Sequence, residues 1–284
     1  MLDADATPLA PPLDRPASGS ALARRIGTGV VFIPLFYVFT RYAPAWAFSA
    51  FVVLLGAVGQ WEFTRMFRRA GVPTYPWLGL LAGTLVTASF GLAGTTPWAL
   101  TLAVAGLLSA GLWRTREFPP RWEAPALTLL GVCYVNWLLG HAILLRSLPL
   151  GAEWIFLLVW VTWVGESAAY FVGSALGRRR IAPRISPAKT LEGAAAQFLA
   201  SPVAALIGRS WFFPECALRD ALVVGFLLGV VGQLGDIAES WLKRGARTKD
   251  TGSLIPGHGG LLDRLDSLLF NTPALFYYAR FIAA

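Results

Sequence analysis

The chain alternates between long apolar runs and short polar segments that are rich in arginine. A membrane-spanning helix needs about 20 mostly apolar residues, and nine runs approach or reach that length. The first run is short, and polar residues interrupt the last two, so the number could differ by one. The pattern predicts an all-α, polytopic integral membrane protein with about nine transmembrane helices, at residues 26–40, 43–60, 77–93, 97–113, 124–145, 154–174, 191–207, 221–234 and 265–283.

Composition supports this prediction. Of the 284 residues, 56% are hydrophobic and only 14% are charged, whereas soluble domains carry about 25% charged residues. These values exclude a disordered chain, a disulfide scaffold and an ordinary soluble enzyme. Cys133 and Cys216 have no metal-ligand spacing, so we interpret them as small core residues.

The first 23 residues are rich in Pro, Ala and Asp and contain no apolar core. A signal peptide begins with a basic segment that an apolar stretch follows, and neither feature is present. We therefore expect a mobile N-terminal tail over residues 1–23, then a single transmembrane catalytic domain over residues 24–284.

The positions of the basic residues predict the orientation. With the N-terminus in the cytoplasm and nine alternating spans, 19 of the 24 Lys and Arg residues lie on the cytoplasmic side. Cytoplasmic loops of membrane proteins are enriched in Lys and Arg. We expect a multi-pass protein of the cytoplasmic (inner) cell membrane, with its N-terminus and its active site on the cytoplasmic side.

Ionisable residues concentrate in the segment 235–267. Asp236, Glu239, Ser240 and Lys243 follow one another at intervals of three, one and three residues. On a helix these positions share one face. Carboxylates at membrane depth are costly and usually face a cavity, a partner charge or a metal ion.

The rest of this segment has the composition of a phosphate site. Glycines 257, 259 and 260 surround His258, and glycine lets backbone N–H groups approach an anion closely. Basic side chains at positions 243, 244, 247 and 249 can neutralise phosphate charge. Asp263 and Asp266 then open the last helix, and carboxylates together with phosphates are the ligands that Mg²⁺ prefers.

A second polar cluster surrounds the end of the sixth predicted span. Glu166 lies within that span, and Ser186, Lys189 and Thr190 precede the seventh. Ser or Thr followed by an acidic residue suits a helix start. The N-terminus of a helix beside a lysine is also an anion site.

These two clusters resemble the signature of the phosphatidate cytidylyltransferases, also called CDP-diacylglycerol synthases. The matching segments are Ser240-Trp-Leu-Lys243-Arg244, Lys249-Asp250, Pro256-Gly257-His258-Gly259-Gly260 and Asp263-Arg264-Leu-Asp266. The segment from Ser186 to Gly193 resembles a second motif of that family, so the resemblance covers about residues 163–284. One position departs from it, because Glu166 stands where the family usually has Asp.

The resemblance implies a membrane enzyme that converts phosphatidate and CTP into CDP-diacylglycerol and pyrophosphate. It also implies a requirement for Mg²⁺, with a second cation left open, and a homodimeric assembly. No nucleic-acid partner is expected. The same resemblance, combined with the chemistry of the residues, assigns their roles.

Metal ligation is expected of Asp236, Glu239, Asp263, Asp266 and Glu166. Catalytic roles are expected of Asp236, Lys249, His258, Asp263 and Asp266. Substrate contacts are expected of Ser186, Lys189, Thr190, Ser240, Lys243, Arg244, Gly259, Gly260 and Arg264.

Rival functions remain open at this stage. Cytidylyl transfer to another lipid phosphate, such as an isoprenoid one, needs the same polar residues, and a CTP-dependent lipid kinase is closely related. An ion-coupled transporter also uses intramembrane carboxylates, but transporters often repeat their interrupted helices in both halves. Here polarity is confined to the second half, which counts against transport. An inactive scaffold is the remaining alternative.

Overall fold

Helices dominate the computed structural model, which describes residues 33–114, 122–252 and 259–283. The predicted N-terminal tail lies outside these ranges. Residues 33–42 form helix α1, which belongs to a separate N-terminal unit. The unit from Ala43 onward contains the remaining helices: α2 (Ala45–Arg69), α3 (Pro76–Ser89), α4 (Thr96–Arg114), α5 (Glu123–Ser147), α6 (Gly151–Leu176), α7 (Leu191–Trp211), α8 (Leu218–Gly245) and α9 (Leu262–Phe281).

Where the structure describes them, the predicted apolar runs coincide with these helices, so the all-α class is confirmed. Six helices, α2 and α4–α8, are both long and apolar enough to cross a membrane. Helix α3 is apolar but shorter. The chain is therefore a multi-pass membrane protein, whereas the prediction of about nine spans is not confirmed. Large apolar side chains such as Leu102, Leu112 and Val230 are exposed, as expected for a surface that faces lipid.

A short antiparallel hairpin interrupts the helices between α6 and α7. Strand β1 (Arg180–Ala182) pairs with β2 (Ser186–Thr190), with Arg180 opposite Thr190 and Ala182 opposite Ser186. Sequence analysis did not predict these strands, since three to five residues are too few for a periodic pattern. The hairpin places the second polar cluster directly before α7.

Helices α6 to α9 pack together through small residues, as is common where helices associate in membranes. A Cβ added at Gly229 of α8 would lie 3.1 Å from the Cβ of Ser201 in α7. A Cβ at Gly235 would lie 2.7 Å from the carbonyl oxygen of Asp266 in α9. The close approach at Gly235 is important for the site, because it sets the carboxylates of α8 against those of α9.

A buried polar contact joins the first half of the bundle. Residues Val132–Trp137 of α5 form a π-helical turn, a feature frequent at functional or strained positions. The side chain of Asn136 in this turn lies 2.9 Å from Gln60 in α2 and 3.0 Å from Thr87 in α3. All three side chains are buried, so this contact fixes the relative positions of α2, α3 and α5.

Candidate active site

The polar face predicted at the end of α8 is confirmed. Helix α8 continues to Gly245, so Asp236, Glu239 and Lys243 lie on one continuous helix. The ammonium group of Lys243 donates to Glu239 Oε2 at 2.9 Å and to Asp263 Oδ1 at 2.8 Å. Both carboxylates are largely buried. Lys243 therefore joins α8 to the first turn of α9 and balances part of the negative charge there.

The carboxylate of Asp263 is the most fully bonded group in the site. Its Oδ2 atom accepts hydrogen bonds from the Thr251 backbone at 3.0 Å, the Thr251 hydroxyl at 3.0 Å and the Gly260 backbone at 2.8 Å. Burial alone would raise the pKa of Asp263, but the bonds from Lys243 and Gly260 lower it below its ordinary value. Asp263 is therefore held in its ionised form. Gly260 of the glycine loop thus brings its backbone N–H to an anion, and in this structure the anion is Asp263 itself.

A second ion pair connects the hairpin to α8. The ammonium group of Lys189 in β2 pairs with Asp236 Oδ2, and both side chains remain partly accessible. Glu166 of α6 and Asp266 of α9 lie close enough to Asp236 for their charges to interact with it. Three carboxylates from three helices thus lie within electrostatic range of one another, near Lys189.

Two residues that were expected to bind substrate, Thr190 and Arg244, form hydrogen bonds within the protein. The Thr190 hydroxyl accepts the Gly193 N–H at 3.1 Å and caps the N-terminus of α7, which confirms the predicted helix start. Arg244 donates to the carbonyl of Ile185 at 3.0 Å and to that of Thr248 at 3.1 Å. Arg244 therefore ties the hairpin to the segment that follows α8. Substrate contacts by these residues stay predictions.

The other predicted residues are distributed around this centre. Ser240 is buried, and Ser186 is partly buried in β2. Lys249 and Arg264 are exposed. Gly259 has a φ of +81°, a conformation that suits glycine. His258 lies outside the described residues, so its assignment stays a prediction.

Sequence analysis missed Glu62 of α2. Its side chain is 5% exposed, and its Oε2 atom accepts the N–H of Leu262 at 3.0 Å, at the first residue of α9. A Cβ at Gly260 would lie 2.7 Å from this same oxygen. The signal was a lone carboxylate between Trp61 and Phe63, but the predicted second span ended two residues earlier, at Gln60.

The donor chemistry of the site suits a hard cation such as Mg²⁺. Within the described ranges, no three His, Cys, Asp or Glu side chains converge closely enough to hold a metal ion. Nevertheless, the carboxylates of Glu166, Asp236 and Asp266 lie within electrostatic range of one another, and all their donor atoms are oxygens. The buried Oε1 atom of Glu239 also has no hydrogen-bond partner among the described residues. The oxygen donors of these carboxylates are therefore suitable ligands for a divalent cation.

Comparison with known proteins extends this picture to nearly the whole chain. The profile of the cytidylyltransferase family matches residues 23–282. A phosphatidate cytidylyltransferase of Bacillus subtilis (strain 168) is 33% identical over 265 residues, which cover 90% of this chain and 97% of the relative. A phosphatidate cytidylyltransferase of Brucella suis biovar 1 is 35% identical over 237 residues, which cover 81% of this chain and 78% of the relative.

A third relative shares only part of the chain. The uncharacterized protein YnbB of Escherichia coli (strain K12) is 41% identical over 148 residues, and the match spans about half of each protein, 50% of this chain and 49% of YnbB. The family profile, by contrast, matches the chain from near its beginning to near its end. The expected resemblance is confirmed, and this chain belongs to the cytidylyltransferase family.

Proposed function

We propose that this protein is a phosphatidate cytidylyltransferase, which converts phosphatidate and CTP into CDP-diacylglycerol and pyrophosphate. One observation carries the proposal: the ion pairs Lys189–Asp236 and Lys243–Asp263 join β2, α8 and α9 in one charged centre of a largely apolar bundle. Two named phosphatidate cytidylyltransferases align with most of the chain. Neither the isoprenoid-type nor the transporter alternative is favoured by these relatives.

In the proposed reaction, an oxygen of the lipid phosphate attacks the α-phosphorus of CTP. A new P–O bond forms, the bond between the α-phosphorus and its bridging oxygen to the β-phosphate breaks, and pyrophosphate leaves with the electron pair. The nucleophile is already an anion, so no strong general base is required. The protein's task is to position two polyanions and to neutralise their charge.

We assign each part of this task to particular residues of the charged centre. Asp236, Asp266 and Glu166 are the proposed ligands of Mg²⁺, with Glu239 and Asp263 beside them. The cation would neutralise phosphate charge when it is bound. Lys189 is the proposed phosphate contact, because its ammonium group is partly accessible next to Asp236.

Of the remaining predicted contacts, Lys249, Arg264 and His258 keep their phosphate-binding role in this proposal, whereas Lys243 takes a different one. Lys249 and Arg264 are exposed near the site and are proposed to bind phosphate. Lys243, held between Glu239 and Asp263, is proposed to keep these two carboxylates in place. His258 is proposed to bind a phosphate oxygen.

Assembly and location are also proposals. We infer a homodimer in the cytoplasmic membrane with the active site facing the cytoplasm. The excess of basic residues on one side supports the orientation, and the family resemblance suggests the dimer.

The direct test follows a label from CTP into lipid. Purified protein in detergent is incubated with phosphatidate, Mg²⁺ and CTP that carries ³²P at the α-phosphate. We expect Mg²⁺-dependent labelling of the lipid together with release of one pyrophosphate per labelled lipid. Lipid labelling from γ-³²P CTP alone would instead show a kinase, and labelling only of an added isoprenoid phosphate would show a different acceptor.

A further inference from the structure

An arginine-rich groove lies at the end of α2. Arg65, Arg68 and Arg69 are exposed and occur at intervals of three and one residues, so they share one face of the helix. They line a groove of about 530 Å³ together with Trp61, Thr64 and Pro76. The groove therefore combines three cations with an apolar floor.

In the part of the chain that the structure describes, these arginines have no counter-charge. Among the residues that the structure describes, none of the three forms an ion pair or a side-chain hydrogen bond. Three neighbouring guanidinium groups repel one another, and an anion held between them would relieve this repulsion. Membrane topology alone requires basic residues here, but it does not require a groove.

A second cavity lies between α2 and the segment whose Thr251 contacts Asp263. It measures about 420 Å³, and it is lined by α2 on one side and by the segment after α8 on the other: Met66, Arg69, Ala70, Ala246, Arg247, Thr248, Asp250 and Thr251. Arg69 lines both spaces. Thr251, which lines this cavity, donates two hydrogen bonds to Asp263. A single residue therefore separates the cavity from the proposed active site.

Arg247 occupies a strained position in the second cavity. Its φ is +51°, in the left-handed region that favours glycine. The N–H of Arg247 donates to the Arg244 carbonyl at 3.0 Å, and that of Thr248 donates to the Lys243 carbonyl at 2.9 Å, so the turn ends α8. Glycine is the usual residue at such a turn. The chain thus places a cationic side chain in this cavity at a position where the backbone favours glycine.

We propose that the groove and the second cavity form the access route and binding site for the phosphate headgroup of the lipid substrate, with Arg69 and Arg247 as the phosphate-binding residues. This inference rests on the proposed function and specifies where that function receives its lipid. Two arginines face a single carboxylate, Asp250, in the second cavity, so the cavity favours an anion.

The surroundings favour a lipid phosphate over a free nucleotide. The groove lies at one end of a helix that is long and apolar enough to cross the membrane, where headgroups are found. Trp61 lines the groove, and its ring centroid lies 5.2 Å from that of Trp77. Tryptophans are typical of the membrane interface.

The test measures binding and turnover in purified full-length variants. Arg69→Gln and Arg247→Gln each remove one charge, and Arg184→Gln is the matched control, since Arg184 is an exposed arginine in the hairpin turn outside both spaces. Binding of radiolabelled dioctanoyl phosphatidate is measured in detergent, with dioctanoyl phosphatidylglycerol and inorganic phosphate as competitors. The KM values for phosphatidate and for CTP are then measured separately.

We expect Arg69→Gln and Arg247→Gln each to weaken phosphatidate binding by about tenfold. The KM for phosphatidate should rise by a similar factor. The KM for CTP should change less than about twofold, and the control should match the wild type. A rise in the KM for CTP instead would overturn the proposal and make the cavity a nucleotide site. If inorganic phosphate competes as well as phosphatidate, the cavity is a free-phosphate site. If phosphatidylglycerol competes equally well, the cavity is a general contact for lipid headgroups. Either result overturns the proposal.

A further variant separates binding from folding. Arg247→Gly relieves the backbone strain, so its melting temperature should equal or exceed that of the wild type while phosphatidate binding falls. A lower melting temperature with unchanged binding would show that Arg247 is structural, which contradicts the proposal. The direct binding assay does not require turnover. An inactive wild-type protein that still binds phosphatidate through Arg69 and Arg247 would therefore refute the proposed function alone.

Discussion

At the scale of single residues, Asp236 is the carboxylate whose removal should matter most. It pairs with Lys189 and adjoins Glu166 and Asp266, so Asp236→Asn removes charge where the cation and the phosphates are proposed to meet. We expect turnover to fall by about two orders of magnitude or more, with normal expression and insertion. Glu215→Gln is the control, because Glu215 is an exposed carboxylate in the loop between α7 and α8. Near-normal turnover of Asp236→Asn, measured by lipid labelling, would remove its assignment as a metal ligand.

Glu62 should act on the site through α9. Its carboxylate accepts the N–H of Leu262, next to Asp263, and is buried. Glu62→Ala leaves that buried N–H without a partner, at a cost of about 1–3 kcal/mol of stability. We expect a lower melting temperature in detergent and slower turnover. Glu62→Gln keeps an acceptor oxygen and should recover much of both losses. Equal melting temperatures and turnover for the alanine variant and the wild type would contradict this positioning role.

At the scale of the elements, the close approach of α8 and α9 should be essential. A Cβ at Gly235 would lie 2.7 Å from the Asp266 carbonyl and 3.2 Å from the Ser267 Cα, and backbone atoms cannot move aside cheaply. Gly235→Ala should therefore separate the two helices and abolish lipid labelling. Gly245→Ala in the same helix is the matched control, since an added Cβ there meets nothing within 4 Å. An active Gly235→Ala enzyme would show that the helices tolerate separation.

The short hairpin illustrates why elements of this size escape sequence analysis. Its residues predict only the start of a helix, and that start, at Leu191, is confirmed. The strands pair over three and five residues, and their position depends on long-range bonds such as that from Arg244 to the Ile185 carbonyl. Local propensity in so short a segment is weaker than these tertiary contacts.

At the scale of the whole molecule, orientation can be tested by labelling from either side. In a background without Cys133 and Cys216, Arg184→Cys should react with a membrane-impermeant maleimide only from the cytoplasmic side. Arg219→Cys, in the first turn of α8, should react only from the opposite side. Both arginines are exposed, so access to the reagent is comparable. Reaction of both cysteines from the same side would contradict the predicted topology between α6 and α8.

The sequence by itself determined the class of the protein and the chemistry of its site. Apolar runs of about 20 residues must lie in lipid as helices, because the bilayer offers backbone groups no other partner. The interval between Asp236, Glu239 and Lys243 places them on one helix face whatever surrounds that helix. The spacing of the signature was sufficient to identify the family, which the match to residues 23–282 confirms.

Only the tertiary structure decided how these residues are partnered. Lys243 could have faced a phosphate, but the packing of α8 against α9 gives it Glu239 and Asp263. Glu62 is about 200 positions away from Leu262 in the sequence and meets it only because α2 packs beside the start of α9. Likewise, Arg69 and Arg247 line one cavity although no local pattern connects them. Hydropathy and helical period describe neighbours along the chain, whereas these contacts depend on which helices pack together in the membrane.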